Sequence, residues 1–367
     1  MKKEYLGLIT DEQNKVNVSQ GYWNYGRLVN KEKQLDPLLN WGCNVLGFFR
    51  HDIYDYVFDN IKKYKHEVAE NIVSERDDIF LNDVNFTLSE KLYKMCNYRS
   101  VPVTSGSVAN EAAIKLSSAY HYIKKNKNKN KIAYIKDGYH GSTFLTSNIS
   151  DNLFEKFKNY NLEPYKNIQQ VDRSLDNVNF EDTMCIIVET CSYSNALTPY
   201  TYEFWRKLET IREKYDVLII VDDVFTGGGK TGNYFGVKSL PISPNMFTMG
   251  KAITNGCFPL AQMFYDETVH KTLPEKFSWQ FGFTHSFTLP GTLAALKYID
   301  ILEKEKILEN HHSLKKLALD LFDSLGVKVV NNYGTMFMLK KHLIQIPLNA
   351  DGEYFTSLEK FVNDNYR

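Results

Sequence analysis

The sequence predicts an α/β protein built on a mainly parallel sheet. Three observations carry that expectation. Short β-rich runs recur at Lys131–Ile135, Met184–Val188 and Val217–Val221, each flanked by polar turns. Helical periodicity fills the stretches between them, most plainly at Tyr202–Tyr215. Such strand–helix–strand alternation makes neighbouring strands parallel and covers both faces with helices. Third, the residues able to do chemistry follow the apolar runs, at the carboxyl ends where open α/β sheets bind ligands.

The elements follow in order. Residues 1–45 hold several aromatics (Tyr22, Trp23, Tyr25) and no long periodic segment. Ile53, Val57 and Ile61 predict a helix from His51 to about Ala69. Thr87 and Glu90 form a capping box, so a second helix is expected from Thr87 to about Tyr98. A third is expected from Val108 to about Tyr122, with Ala112, Ala113, Leu116 and Ala119 on its apolar face. Thr292 to Leu325 reads as long helices broken near Asn310, and residues 327–367 as a small α+β tail.

Composition narrows the function. The chain has 367 residues, enough for about two domains. Hydrophobic residues at 43% and charged residues at 24% exclude a disordered polypeptide. Lys plus Arg and Asp plus Glu are both 44, which argues against a dedicated nucleic-acid or anionic-membrane binder. The run Lys124–Lys131, alternating Lys and Asn, reads as a solvated loop. No apolar run is long enough to span a bilayer, and no signal peptide is expected from Met1-Lys2-Lys3-Glu4-Tyr5. Five scattered cysteines (Cys43, Cys96, Cys185, Cys191, Cys257) point to neither a disulfide framework nor a metal site, and the cytoplasm is the expected compartment.

Asp222 and Asp223 end one apolar run, Glu189 ends another, and Tyr139-His140-Gly141 follows a third. Ser105-Gly106-Ser107 opens a helix, offering backbone N–H groups and a positive dipole end to a phosphate. An ordinary Ser N-cap gives the same pattern. Lys251 sits among small and apolar residues after Gly250. A buried ammonium is costly, and a lysine joined to an aldehyde cofactor avoids that cost; a surface lysine with a snorkelling stem is the commoner alternative. Pyridoxal phosphate needs a lysine for its aldehyde, an acid for its pyridine nitrogen, a phosphate cradle and an aromatic face. Lys251, Asp222, Ser105-Gly106-Ser107 and Tyr139 supply the four in a sensible chain order.

From about Asn40 to Glu305 the chain resembles the class III aminotransferases of the fold-type I pyridoxal-phosphate enzymes. The similar segments are Ser105–Leu116, Tyr139-His140-Gly141, Asp222-Asp223-Val224, Thr226–Gly232, Lys251, and Gly282-Phe283-Thr284 followed by Ala294-Ala295-Leu296. The resemblance implies a three-layer α/β/α domain around a seven-stranded sheet. It implies a Schiff-base role for Lys251 and pairing of Asp222 with the pyridine nitrogen. Tyr139 and Val224 would cover the two ring faces, with His140 and Glu189 among the cofactor contacts. It also implies a homodimer in which Thr284 reaches the phosphate of the neighbouring subunit. The expected division is a large domain over residues 46–290 and a small one from residues 1–45 and 291–367.

The chain departs from the family at several points. Phe225 replaces the usual Gln after D-E-V, and a phenyl ring cannot make that residue's hydrogen bond to the cofactor's ring hydroxyl. Thr190-Cys191-Ser192 replaces the turn after Glu189, and the tail is short, reducing the part that often binds a substrate carboxylate through arginine. Arg27, Arg50 and Arg99 are the few early candidates for an anion clamp and are better read as surface ion pairs; the resemblance makes Tyr22 and Trp23 candidate pocket residues, with core packing an equal alternative. The leading reading is ping-pong transamination between an amino-acid donor, L-glutamate being the first to try, and a small carbonyl acceptor. Lys251 would be the general base. An aminomutase or decarboxylase on the same scaffold, and an idle dimeric scaffold, are the rivals.

Overall fold

The computed structural model describes residues 21–29, 31–63, 83–151, 165–275, 277, 281–282, 285–286 and 288–366. Three short strands, β1 (Gly21–Trp23), β2 (Gly26–Val29) and β3 (Glu32–Leu35), form an antiparallel meander. Helix α1 (His51–Lys63) buries Ile53 and Val57, one helical turn apart. Its expected continuation to Ala69 lies outside the described residues. Helix α2 (Asp83–Cys96) starts four residues before the expected Thr87. Val84, Leu88 and Leu92 are all buried, so the apolar stripe carries the helix back past the capping box.

β4 (Arg99–Val103) leads into α3 (Gly106–Ile123), and β5 (Lys131–Ile135) into the short α4 (Phe144–Asn148). Next come β6 (Ile168–Val171), β7 (Thr183–Glu189) and the small hairpin of β8 (Cys191–Ser192) and β9 (Thr198–Pro199). α5 (Tyr202–Tyr215), β10 (Leu218–Asp222), β11 (Met246–Met249), β12 (Ala261–Tyr265) and α6 (Glu267–Thr272) follow. The break expected near Asn310 is a 3₁₀ turn, Ile307–Asn310, between α7 (Leu289–Lys304) and α8 (His311–Ser324). The tail is a three-stranded antiparallel sheet, β13 (Val329–Tyr333), β14 (Met336–Leu339) and β15 (Leu343–Gln345), closed by α9 (Gly352–Tyr366).

The central sheet has seven strands in the order β4-β12-β11-β10-β7-β5-β6. Only β12 runs against the others. Side chains alternate faces along each strand, and this sets the layers. Ile219, Val221, Ile186 and Val188 face one way and pack with α1, α2, α5 and α7. Leu218, Ile220, Cys185 and Ile187 face the other way and pack with α3. A third core joins the two ends of the chain, bringing Trp23 and Tyr25 against Phe322, Phe337, Ile344 and Tyr354. The Lys/Asn run is a connection from α3 to β5, where Lys124 pairs with Asp216 and Lys131 with Asp182. No helix among the described residues is long and apolar enough to cross a membrane.

Candidate active site

Six strands end at one edge of the sheet, and the carboxyl ends of five of them, β4, β5, β7, β10 and β11, build the site. In-register parallel pairing of β10 with β7 puts Asp222 beside Glu189. Asp222 is only 6% exposed. A carboxylate buried this deeply persists only if hydrogen-bonded. Its Oδ2 accepts from Asn110 Nδ2 at 2.7 Å and meets His140 Nδ1 at 2.9 Å, while Oδ1 accepts from the Val224 N–H at 3.1 Å. Asn110 is itself fixed: its Oδ1 accepts from Thr248 Oγ1 at 2.7 Å. Glu189 accepts the Tyr139 and Tyr193 N–H groups, both at 3.3 Å. Burial first, and then the charge of Asp222, push its carboxyl well above the ordinary range, opposed by the two N–H donors and by Lys251.

The β4–α3 and β5–α4 connections meet over the same edge. Ser105 is the N-cap of α3, its Oγ accepting from the Val108 N–H at 3.4 Å. Ser107 Oγ accepts from the Ser142 N–H at 3.3 Å. Gly141 has φ +127°, and a Cβ on it would sit 2.2 Å from Ser107 Oγ, so only glycine lets these turns meet. Gly106 is constrained in the same way by Val224. The N-terminus of an 18-residue helix therefore opens onto the cavity with two hydroxyls beside it.

Lys251 follows β11 through Gly250 and has φ +47°, a conformation that costs a residue with a side chain about 1–2 kcal/mol. Burial pulls its amine below the usual lysine range, opposed by Cys43, Asp222 and Glu189. Its Nζ lies 4.9 Å from the centre of the Phe225 ring, which packs 4.9 Å from Tyr193. Phe225 thus fills the space beside Lys251 and donates no hydrogen bond there.

Ser105, Gly106, Ser107, Tyr139, His140, Glu189, Asp222, Val224 and Lys251 line one cavity of about 730 Å³. Thr284 lies outside the described residues. Tyr22 and Trp23 do not line the cavity. Tyr22 stacks on Phe48, and Trp23 is buried in the core joining the termini, with Nε1 donating to the Gln34 carbonyl. Arg27, Arg50 and Arg99 are spent on Asp36, on Asp52 with Glu305, and on Glu267. The walls that sequence reading missed are Trp41, Cys43, Asn110, Phe258 and Leu260. Only Asn110 carried a signal, an amide within the helix after Ser105-Gly106-Ser107. Among the described residues no cluster of metal-binding side chains occurs.

The donor set fits pyridoxal phosphate: an amine, a buried hydrogen-bonded carboxylate, an aromatic ring, and a helix N-terminus that a single Cβ at Gly106 would obstruct. Fold and site together define a fold-type I pyridoxal-phosphate enzyme. The model of the family "Aminotransferase class-III" matches residues 10–340. The chain belongs to the class III aminotransferases. It is 27% identical over 256 residues to an aminotransferase of Sinorhizobium fredii, covering 61% of this chain and 54% of that one. It is 26% identical over 328 residues to gamma aminobutyrate transaminase 2 of Solanum lycopersicum, covering 80% and 69%. The chain thus spans about half the length of the first of these and about two thirds of the second. The crystal structure of adenosylmethionine-8-amino-7-oxononanoate aminotransferase from Methanocaldococcus jannaschii shares the fold, with TM-score 0.84, 20% identity, and 100% and 98% of the two chains covered.

Proposed function

We propose that the protein is a pyridoxal-phosphate-dependent aminotransferase that moves an amino group from an amino-acid donor to a small carbonyl acceptor by a ping-pong mechanism. One observation carries this reading: the carboxyl ends of five strands bring Lys251, Asp222, Glu189, Tyr139 and Ser105-Gly106-Ser107 around a single cavity. When bound, pyridoxal phosphate supplies an aldehyde that captures amines and a ring that takes up the electrons of a broken C–H bond.

The chain's residues do the rest. The Lys251 amine takes a proton from the substrate Cα and returns one, and its lowered pKa favours the neutral base that the first transfer needs. Asp222 presents a fixed carboxylate to the pyridine nitrogen and holds a proton there; Asn110, His140 and Val224 N–H keep it from turning away. Tyr139 and Val224 would hold the ring, and Ser105, Gly106 and Ser107 at the N-terminus of α3 would hold the phosphate; all five line the cavity. Glu189 is fixed beside Asp222 by the Tyr139 and Tyr193 N–H groups. Trp41, Phe225 and Phe258 form an apolar wall that limits water.

The same reading includes a homodimer with Thr284 serving the neighbouring site, and a cytoplasmic location. It includes a large unit over residues 46–290 and a small one from 1–45 and 291–367. The shared core of the two ends supports that division, and α7, packed on the large sheet, straddles its boundary. The test is the visible spectrum of protein loaded with pyridoxal phosphate and desalted, before and after L-glutamate. A retained band that converts to the aminated cofactor supports the reading, and other donors follow if glutamate is silent. Failure to retain any band refutes it.

A further inference from the structure

Lys230 is a second lysine beside the cavity, and the chemistry above makes no use of it. Its side chain is wholly buried. Nζ donates to the carbonyl oxygens of Gly42 and Gly227, both at 2.9 Å. The groups facing it are Lys251, Cys43 and Asp223. Burial, reinforced by Lys251, pulls its amine down to about 7. A neutral amine still has two N–H donors, so both hydrogen bonds survive loss of the charge.

Gly42 ends an unusual turn. Leu39, Asn40 and Trp41 have φ +47°, +58° and +56°, and Gly42 has φ +80°. Left-handed backbone is unfavourable for residues with side chains and is seldom found in runs. Such a turn persists only when its surroundings hold it. At its start, Asp36 accepts the Leu38 and Asn40 N–H groups, both at 3.0 Å. At its end stands the Lys230 amine. Packing leaves Gly42 no room to retreat, since a Cβ there would lie 3.0 Å from Phe225 and 3.3 Å from Gln345. The turn carries Trp41, 61% exposed, to the wall of the cavity. The Lys230 backbone is anchored too: its carbonyl accepts from the Thr335 N–H at 2.9 Å, and Gly334 passes so close that its Cβ would sit 2.0 Å away.

We propose that Lys230 is a positioning residue that holds the Leu39–Gly42 turn, and with it Trp41, in place as a wall of the reaction cavity. The inference rests on the cavity being the substrate site. It makes Lys230 a determinant of substrate binding rather than of proton transfer.

The test compares Lys230→Met, Lys230→Arg and Asp36→Ala, the last releasing the same turn from its other end. Two quantities are read. The first is the Trp41 share of the fluorescence anisotropy in cofactor-free protein, obtained by difference against Trp41→Phe in each background. The second is KM and kcat of the holoenzyme with a donor that converts its visible band. In Lys230→Met the Trp41 anisotropy is expected to fall by about half. KM is expected to rise about tenfold while kcat stays within about threefold. Lys230→Arg restores both, because a guanidinium can donate to the same two carbonyls, and Asp36→Ala repeats the Met signature. A folded Lys230→Met protein with unchanged anisotropy and KM overturns the proposal, as does a fall in kcat at constant KM. If Lys230→Met does not fold, Asp36→Ala decides, and normal anisotropy there overturns it. If no donor is converted, the aminotransferase reading has failed, and the anisotropy still tests the strut.

Discussion

Gly106→Ala separates retention of the cofactor from stability of the fold. Gly106 opens α3 between Ser105 and Ser107. A Cβ built there lies 2.6 Å from Val224 Cγ1 and 2.8 Å from Cγ2, where ordinary contact begins at 3.4 Å. The first contact alone demands 0.8 Å of movement, the difference of 3.4 and 2.6. Both methyls obstruct, so turning the valine exchanges one clash for another and the backbone must shift. That backbone is tied to the site, because the Val224 N–H donates to Asp222 Oδ1 at 3.1 Å. Overpacking of this kind costs about 1–3 kcal/mol. Replacing a helical glycine by alanine returns about 1 kcal/mol. The fold therefore loses about 0–2 kcal/mol, and the cofactor-free protein melts no more than about 4 °C lower. The cofactor meets the whole displacement, at Gly106 and at Val224 together. A loss of about 1.4–2.8 kcal/mol there raises the Kd for pyridoxal phosphate about tenfold to a hundredfold. Absorbance titration of the cofactor-free variant measures the Kd, and a thermal melt measures the fold. An unchanged Kd would refute the placement of the cofactor against these two residues.

The other predictions concern charge. Lys251→Ala should lose both the retained visible band and turnover, and near-normal turnover would remove Lys251 from the chemistry. Asp222→Asn keeps the shape of the side chain but brings an amide toward the Asn110 and His140 donors; kcat is expected to fall by about two orders of magnitude or more with the cofactor still bound, measured in single turnover. Glu189→Gln tests the raised carboxyl. In the native protein the folded-state pKa lies above the unfolded value, so between the two values folding retains a proton that unfolding releases, and stability falls as pH rises through that window. Glutamine has no such slope, so the melting temperature of the variant relative to native protein should climb from pH 5 to pH 8; a flat difference would mean that Glu189 is ionised in the fold.

How much was legible follows from the range of the interactions. β5 and α5 occupy the residues their patterns predicted, because strand and helix periodicities are local and were not interrupted. α2 shows local signals in competition: Thr87 and Glu90 do resemble a cap, yet burial of Val84 against the sheet outweighs it and the helix begins at Asp83. Tyr22 and Trp23 were candidate pocket residues because the family's N-terminal segment often lines the pocket; core packing was the equal alternative, since an aromatic side chain has the same chemistry in a core.

The sequence by itself determined the strand ends and what stands on them. A lysine after Gly250, an acid after Val221 and a small-residue turn before a helix are each set by a few adjacent residues, and parallel strands bring such ends to one edge. Only the tertiary structure decided what closes the cavity. Trp41 lies in a left-handed turn that its own residues disfavour. The tie of that turn to Lys230, through the Gly42 carbonyl, spans 188 positions, and the hydrogen bond from Asn110 to Asp222 spans 112. Neither has a periodic or motif signature, because each depends on the distance between elements that meet only after the sheet has formed.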